Sequence, residues 1–466
     1  MDKLVEKLIN IVPHERQIKW QETEFYAFIH YGVNQFTGRE WGTGEEEAVI
    51  FNPQALDTDQ WCEAIVSAGM KGAIITAKHH DGFCLWDTAY TKHSVMYSPY
   101  KQDIVGRLSN SCKKYGLKYG VYLSPWDRHD KRYGQGQAYN DYFCNQLTEL
   151  LTKYGDVFSV WFDGACGEGS NGKVQVYDWQ RYYALIRKLQ PEAVISVCGP
   201  DVRWCGNEAG HCRVSEWSVV AASMMDNEAI KENSQQEDLA IFRERIPSDN
   251  EDLGSREVLK DVASYVWYPA EVNTSIRPGW FYHANEDDKI RSLAELSSIY
   301  LQSVGGNATF LLNIPPHPDG YFAASDVQRL KEIGQWIKDS FSVNLLAEAI
   351  YTASSFEEGH AASALSSKNK YWKAVDDDSD IAVIAAAKEA ITPHYLVLQE
   401  EIRKSQRIEA FTLSYWDGED WKQVAKGSVV GYKRICPISQ KVTAKKWKLE
   451  IPSARGGATL KTFELY

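Results

Sequence analysis

The stretch Val157-Phe158-Ser159-Val160-Trp161-Phe162-Asp163-Gly164 is a short run of strand-type residues that ends abruptly on a carboxylate and a glycine. Apart from one serine the run is apolar on both faces, the pattern of a strand covered on both sides in a parallel sheet. The same texture recurs upstream at Phe25–His30, Ala73–Thr76 and Tyr119–Leu123, and downstream at Val194–Val197 and Thr309–Ile314. Amphipathic helical patterns fall between these runs. Asp57 is placed to cap a helix whose Trp61, Ala64, Ile65 and Ala68 share a face and which closes at Gly69. Ile104, Leu108 and Cys112 line a second helix up to Gly116, and Phe143, Leu147, Leu150 and Leu151 line a third. Joined by right-handed crossovers, these segments give six clear strand–helix units and as many as eight. They predict an α/β fold, a (β/α)8-like barrel over residues 1–345, rather than an open sheet. No Gly-x-Gly-x-x-Gly turn supports a dinucleotide fold. Glu208–Thr274 is the least regular stretch and reads as a degenerate unit.

Past residue 345 the texture changes. Short alternating runs such as Ile381–Ala385, His394–Leu398, Ile408–Tyr415 and Lys446–Ile451 are separated by polar and glycine-containing turns. Residues 346–466 are therefore expected to form a small antiparallel β-sandwich domain. The acidic run Asp376, Asp377, Asp378 and Asp380 reads as a solvated turn, since its spacing matches no calcium-binding loop.

Composition narrows the function. The 466 residues carry 51 Lys and Arg against 63 Asp and Glu, a net charge of −12 with no basic patch, so a nucleic-acid partner is not expected. No window approaches the roughly 20 apolar residues of a membrane span, so no membrane association is expected either. The nine cysteines include no Cys-x-x-Cys pair, and neither a disulfide framework nor a metal site is expected. Met1–Gln17 lacks the apolar stretch of a signal peptide. Read as written, the chain is expected in the cytoplasm; a secreted or periplasmic protein trimmed of its leader would read the same. Nothing in the sequence sets the oligomeric state. The 16 Trp, 26 Tyr and 16 Phe suit sugar faces, although they also fill cores.

In a barrel of this kind the site lies where the strands end. Those positions are unusually polar here. The first run ends in His30 and is followed by Glu40 and Trp41; the second ends in His79 and His80; the third leads into Trp126 and His129; the fourth ends on Asp163. Each residue taken alone has a plain structural role, such as a helix cap or a satisfied core histidine, but four strand ends converge on one rim. His79 and His80 are adjacent, so on a strand they are expected to face opposite ways, an awkward pair for one metal ion. Imidazoles and carboxylates beside tryptophan faces instead suit the recognition of sugar hydroxyls.

His30-Tyr31-Gly32, Lys78-His79-His80-Asp81-Gly82-Phe83, Trp161-Phe162-Asp163-Gly164 and Leu311-Leu312-Asn313-Ile314-Pro315-Pro316, taken in order, resemble the α-L-fucosidases of glycoside hydrolase family 29. The likeness runs from about Trp20 to Trp336. Gly206–Gly210, Ser215-Glu216-Trp217 and Asn273–Trp280 resemble the branch acting on α-1,3- and α-1,4-linked fucose, which prefers Lewis-type branched glycans over simple aryl fucosides. The resemblance implies an exo-acting, retaining hydrolase of fucosylated oligosaccharides or glycoconjugates, with no metal and no organic cofactor. Asp163 matches the nucleophile. Glu208, in a glycine-flanked loop, matches the place of the acid/base, with Glu216, Glu271 and Glu40 as rivals. By the same matching His30, His79, His80, Glu40 and Trp41 bond or flank the fucose hydroxyls and Trp280 faces the C5 methyl. Trp126 and His129 are expected to line the same pocket. Two other readings remain open at this point: a lectin-like protein that kept the pocket without turnover, and another retaining barrel glycosidase such as a galactosidase.

Overall fold

The computed structural model describes residues 2–235, 251–367, 369–376 and 378–466; of the acidic run, Asp377 lies outside them. Its centre is a nearly closed barrel of eight parallel strands: β1 (Phe25–Ile29), β2 (Gly72–Lys78), β3 (Lys118–Leu123), β4 (Val157–Phe162), β5 (Val194–Val197), β6 (Arg203–Trp204), β7 (Ala270–Ser275) and β8 (Ala308–Asn313). The ladder runs β5–β4–β3–β2–β1–β8–β7–β6. Its two ends meet at a single described bridge, Ser196–Val202.

The period of two along each strand decides which side chains face the bore. Tyr26 and Phe28 of β1, Tyr122 of β3, Trp161 of β4 and Leu311 of β8 pack together inside it. Their neighbours Phe25, Ala27, Ile29, Phe310 and Leu312 point outward and pack against the surrounding helices. The helices start and stop where the sequence predicts. Asp57 accepts from the Asp59 and Gln60 amides to open Thr58–Ser67. Asp103 accepts from Gly106 N to open Ile104–Tyr115, and Gly116, at φ 70°, closes it in the left-handed conformation that glycine tolerates.

The regular alternation breaks after β5. The link Cys198–Val202 is too short for a helical crossover, and β6 is only two residues long. The chain then makes a long excursion before β7. It includes an antiparallel ribbon, Val219–Ala221 with Tyr265–Trp267, and the helix Asn227–Asn233. This is the degenerate unit expected between Glu208 and Thr274, displaced a few residues upstream.

After the helix Ala324–Phe341 come the antiparallel sheets. Five strands, in the order Ile350–Ala353, Ala382–Ile391, Ala444–Ala454, Ile408–Trp416 and Trp421–Ser428, face three, Arg434–Pro437, Tyr395–Gln399 and Thr462–Leu465. Trp372, Trp447, Phe411, Leu396 and Phe463 are among the buried residues between them. The Phe341 ring seats this layer on the barrel, 5.0 Å from Tyr395 and 5.7 Å from Tyr466.

Candidate active site

The carboxyl ends of the strands open on a pocket. Its walls are Phe28 and His30 from β1 and its end, Glu40 and Trp41 from the loop beyond, and His79 and His80 after β2. Trp161 and Asp163 come from β4 and its end, Val197 from β5, Trp204 from β6, Glu208 from the loop after it, and Asn273 and Trp280 from β7 and its loop.

Asp163 stands one strand period beyond Trp161, so its carboxylate faces the bore with a side chain 24% exposed. Tyr122 donates its hydroxyl proton to Oδ2 at 2.8 Å, and the Ala165 amide donates to Oδ1 at 2.9 Å. Burial holds the carboxyl above its usual range, while these donors pull it back toward the ionised form.

The three imidazoles are neutral at pH 7. Burial pushes His30 down to about 4 and His80 down to about 3, and holds His79 well below its ordinary value. His80 Nε2 lies 3.8 Å from Asp163 Oδ2, a polar contact rather than an ion pair for an uncharged ring. The hydrogen-bond network assigns two tautomers. Asn313 Nδ2 donates to Ser275 Oγ and to the Trp280 carbonyl, so its Oδ1, 2.8 Å from His30 Nδ1, accepts that ring's proton. Ser124 donates its one proton to the Trp126 carbonyl at 2.7 Å, so His80 Nδ1 must donate to Ser124 Oγ. Both rings therefore keep Nε2 bare, as an acceptor.

His79 and His80 do not face opposite ways. Strand β2 ends at Lys78 and the chain turns at once, so both rings line the pocket with centroids 4.1 Å apart. The turn depends on Gly82, at φ 77°, where a Cβ would meet Asp127 Oδ1 at 2.5 Å. Asp127 in turn forms a wholly buried ion pair with Lys78 at 2.9 Å.

Beside His30, with ring centroids 5.1 Å apart, Trp280 donates its indole N–H to Glu208 Oε2 at 3.2 Å. The Trp280 backbone amide donates to Glu40 Oε2 at 2.7 Å, and His283 Nε2 lies 2.6 Å from Glu40 Oε1. Trp280 thus ties two carboxylates, one through its ring and one through its backbone. The loop bearing Glu208 is closed by Asn207, whose Oδ1 accepts from Ala209 N and His211 N while its Nδ2 donates to the His211 carbonyl.

Four residues expected at the pocket stand elsewhere. Glu216 is fully buried outside it, between the Arg203 and Arg213 guanidiniums, because two cations compensate its charge there. Glu271 lies beneath the floor on β7, accepting from Tyr26 and, at 2.6 Å, from Trp161 Nε1; burial pushes its carboxyl up to about 7. Trp126 backs the wall instead of lining it, its ring 5.5 Å from Trp41 and 5.1 Å from His80. His129 sits behind the loop that follows β1, donating through Nδ1 to the Gly44 carbonyl at 2.6 Å and stacking on His93 at 3.9 Å. Trp204 and Phe28 on the pocket wall, and Tyr122 buried behind Asp163, are components the sequence reading did not single out. Counting back two residues from His30 marks Phe28, but no local signal marks Tyr122 or Trp204. Among the described residues no group of three or more His, Cys, Asp and Glu side chains is arranged to hold a metal ion.

A family model described as alpha-L-fucosidase matches residues 7–340. The chain is 37% identical to Alpha-L-fucosidase 1 of Arabidopsis thaliana over 469 residues, covering 98% of this chain and 87% of that one. Among solved structures it is similar to a Ruminococcus gnavus GH29 fucosidase in complex with fucose, with a TM-score of 0.84 and 28% identity over 98% of this chain and 95% of that one. It is also similar to a glycoside hydrolase 29 family member from an unknown rumen bacterium, with a TM-score of 0.78 and 34% identity over 98% and 77% of the two chains.

Proposed function

This chain belongs to the α-L-fucosidases of glycoside hydrolase family 29, and on that premise we propose that it releases terminal fucose with retention, Asp163 serving as nucleophile and Glu208 as acid/base. The observation that carries this reading is the set of three carboxyl side chains on one pocket walled by neutral imidazoles and indoles: Asp163, Glu208, and Glu40, the last already engaged by the Trp280 amide and His283. In the first step the Asp163 carboxylate attacks C1 as the bond to the leaving oxygen breaks, and Glu208 gives that oxygen its proton. In the second, Glu208 takes a proton from water, the hydroxide oxygen bonds to C1, and the bond to Asp163 breaks. Two inversions return the original anomer.

The chemistry of the walls supports fucose as the ring. His30 and His80 offer bare Nε2 atoms to sugar O–H groups, and a hydroxyl seated between His80 and Asp163 separates two acceptors that otherwise face each other. The Trp280 ring gives the C5 methyl an apolar face that a sugar with a 6-hydroxyl uses less well. The likeness to a fucosidase whose structure holds fucose supports the same ring. We take the substrate to be α-1,3- or α-1,4-linked fucose on Lewis-type branches, on the resemblance of Gly206–Gly210, Ser215–Trp217 and Asn273–Trp280 to that branch of the family.

The test is fucose release from a Lewis-type trisaccharide and from an aryl α-fucoside, with wild type and Asp163→Ala in parallel and the first-formed anomer read by NMR. Release from the branched sugar as α-fucose, abolished in the variant, is the expected result. First-formed β-fucose overturns retention. Turnover of the aryl substrate alone overturns the branched-glycan preference. Tight binding without release from either substrate favours a lectin.

A further inference from the structure

The loop that carries Glu208 leaves β6 at Trp204 and is tied down at its far end, Val214–Ser218, by Ser428 and Arg434 of the antiparallel sheets, by Gln406 in the connection before Ile408–Trp416, and by Asn307 just ahead of β8. Its crest and its tie are linked through buried charge. Arg213 Nη1 donates to the Cys205 carbonyl at 3.0 Å, at the loop's start, while the Glu216 carboxylate bonds Arg203 and accepts from the Arg213 amide at 3.1 Å. What fixes Glu216 therefore fixes both ends of the loop. The backbone around Glu216 is held from both sides: the Trp217 carbonyl accepts from Arg203 of β6 at 3.3 Å, and further partners come from outside the barrel's strands and helices. The Ser218 amide donates to Gln406 Oε1 at 2.7 Å, and the Glu216 carbonyl accepts from Gln406 Nε2 at 3.3 Å and from Asn307 Nδ2 at 2.8 Å. Ser215 Oγ lies 2.7 Å from Ser428 Oγ, and Arg434 donates to the Val214 carbonyl at 3.1 Å.

Two features mark Gln406 as built for this junction. It is fully buried, where an amide side chain must have both its oxygen and its nitrogen paired. It also follows Ser405, held at φ 70° and ψ 177°, a conformation normally left to glycine, while Asn307, across the same carbonyl, is held at φ 67°. Two non-glycine residues in left-handed conformations flank one tie point, and such strain persists where the surroundings over-determine it.

We propose that Gln406 is a positioning residue for hydrolysis: its amide, clamping the Glu216 carbonyl and the Ser218 amide, sets the loop that presents Glu208 to the leaving oxygen. The antiparallel domain thereby contributes to proton delivery without reaching the substrate. The inference rests on Glu208 being the acid. A misplaced acid slows departure of a poor leaving group far more than of one that needs no proton, and kcat/KM reports that first step.

The experiment compares kcat/KM on a Lewis-type trisaccharide with kcat/KM on α-L-fucosyl fluoride, using full-length wild type, Gln406→Met, Ser428→Ala and Glu208→Gln. Gln406→Met keeps the shape and removes both hydrogen bonds. It is expected to lose about tenfold on the trisaccharide and less than about twofold on the fluoride. Ser428→Ala, at the half-buried rim, is expected to shift the same ratio by about two- to threefold, and it decides the matter if Gln406→Met does not fold. Equal losses on both substrates, as a general loss of folded protein gives, or no loss on either, overturn the inference. Glu208→Gln separates the two claims. A loss of about a hundredfold or more confined to the trisaccharide supports Glu208 as the acid. A loss shared equally by the fluoride removes Glu208 from that role, and the part assigned to Gln406 falls with it.

Discussion

Tyr122 reaches Asp163 from the neighbouring strand, its ring stacked 5.3 Å from Trp161. Its O–H favours the ionised carboxylate against the burial that disfavours it. Tyr122→Phe therefore raises the Asp163 pKa, and the acid limb of kcat/KM moves to higher pH, with activity on that side falling about tenfold. An unmoved limb would show that the hydroxyl does not tune this carboxylate. His30 and His80, at about 4 and 3, add no limb near the ordinary histidine value. Beneath them Glu271 binds a proton in the folded state up to about pH 7, whereas unfolded it releases it near its ordinary 4.5. The native state thus holds the extra proton between those values, and stability falls as pH rises through that window, by about 3 kcal/mol in all. Glu271→Gln mimics the protonated form, so its melting temperature is expected to vary less than that of wild type between pH 5 and 8; parallel curves would refute this. Asp163 and His30 are legible in the sequence because each ends a run whose parity points it into the bore. Glu216 is not, because its cations are found only once Arg203 and Arg213 are folded against it.

The turn after β2 shows how much of a site belongs to its connections. Lys78, the last residue of the strand, is fully buried, bonds Asp127 and Gln146, and lies over the Tyr142 ring at 5.2 Å. That pair staples the turn carrying His79 and His80 to the loop carrying Trp126. Gly82→Ala drives a methyl into Asp127 at a left-handed position and is expected to cost about 3 kcal/mol, read as a lower urea midpoint, together with a raised KM as the two rings shift. A lowered midpoint with KM unchanged would mean that the turn is not what aims the histidines. Helix caps such as Asp57 and Asp103 are legible because capping is local. The facing of His79 and His80 is not, since strand alternation holds only as far as the strand does. The short β6 is invisible for a related reason: two residues carry no period, and only pairing with β7 makes them a strand.

At the scale of the whole molecule the six regular runs suffice to reveal a barrel, because hydrophobic texture and crossover handedness leave few other ways to bury them. The two strands that complete the ring escape the same test, β6 because it is two residues long and β7 because Ala270–Ser275 interleaves Glu271, Asn273, Thr274 and Ser275 with its apolar positions. The ring they complete is cut once. Between β5 and β6 the described contact is a single bridge from Ser196 to Val202, the residue before β6, beside which Val197, a β-branched residue at φ 69°, donates its amide to the Val202 carbonyl. A cylinder with every ladder formed has a fixed girth. A split one opens at the slit. Amide protons at Ser196–Trp204 are therefore expected to exchange with deuterium faster than those of β1 and β2, and even protection around the circumference would count against it. Val197 and Trp204 stand on the two lips and also wall the pocket. The strands behind His30, His79 and His80 are paired on both sides, whereas among the described residues the arc of Val197 and Trp204 has no second ladder to fix its width, so any widening of the pocket is expected at the slit and not at the histidines.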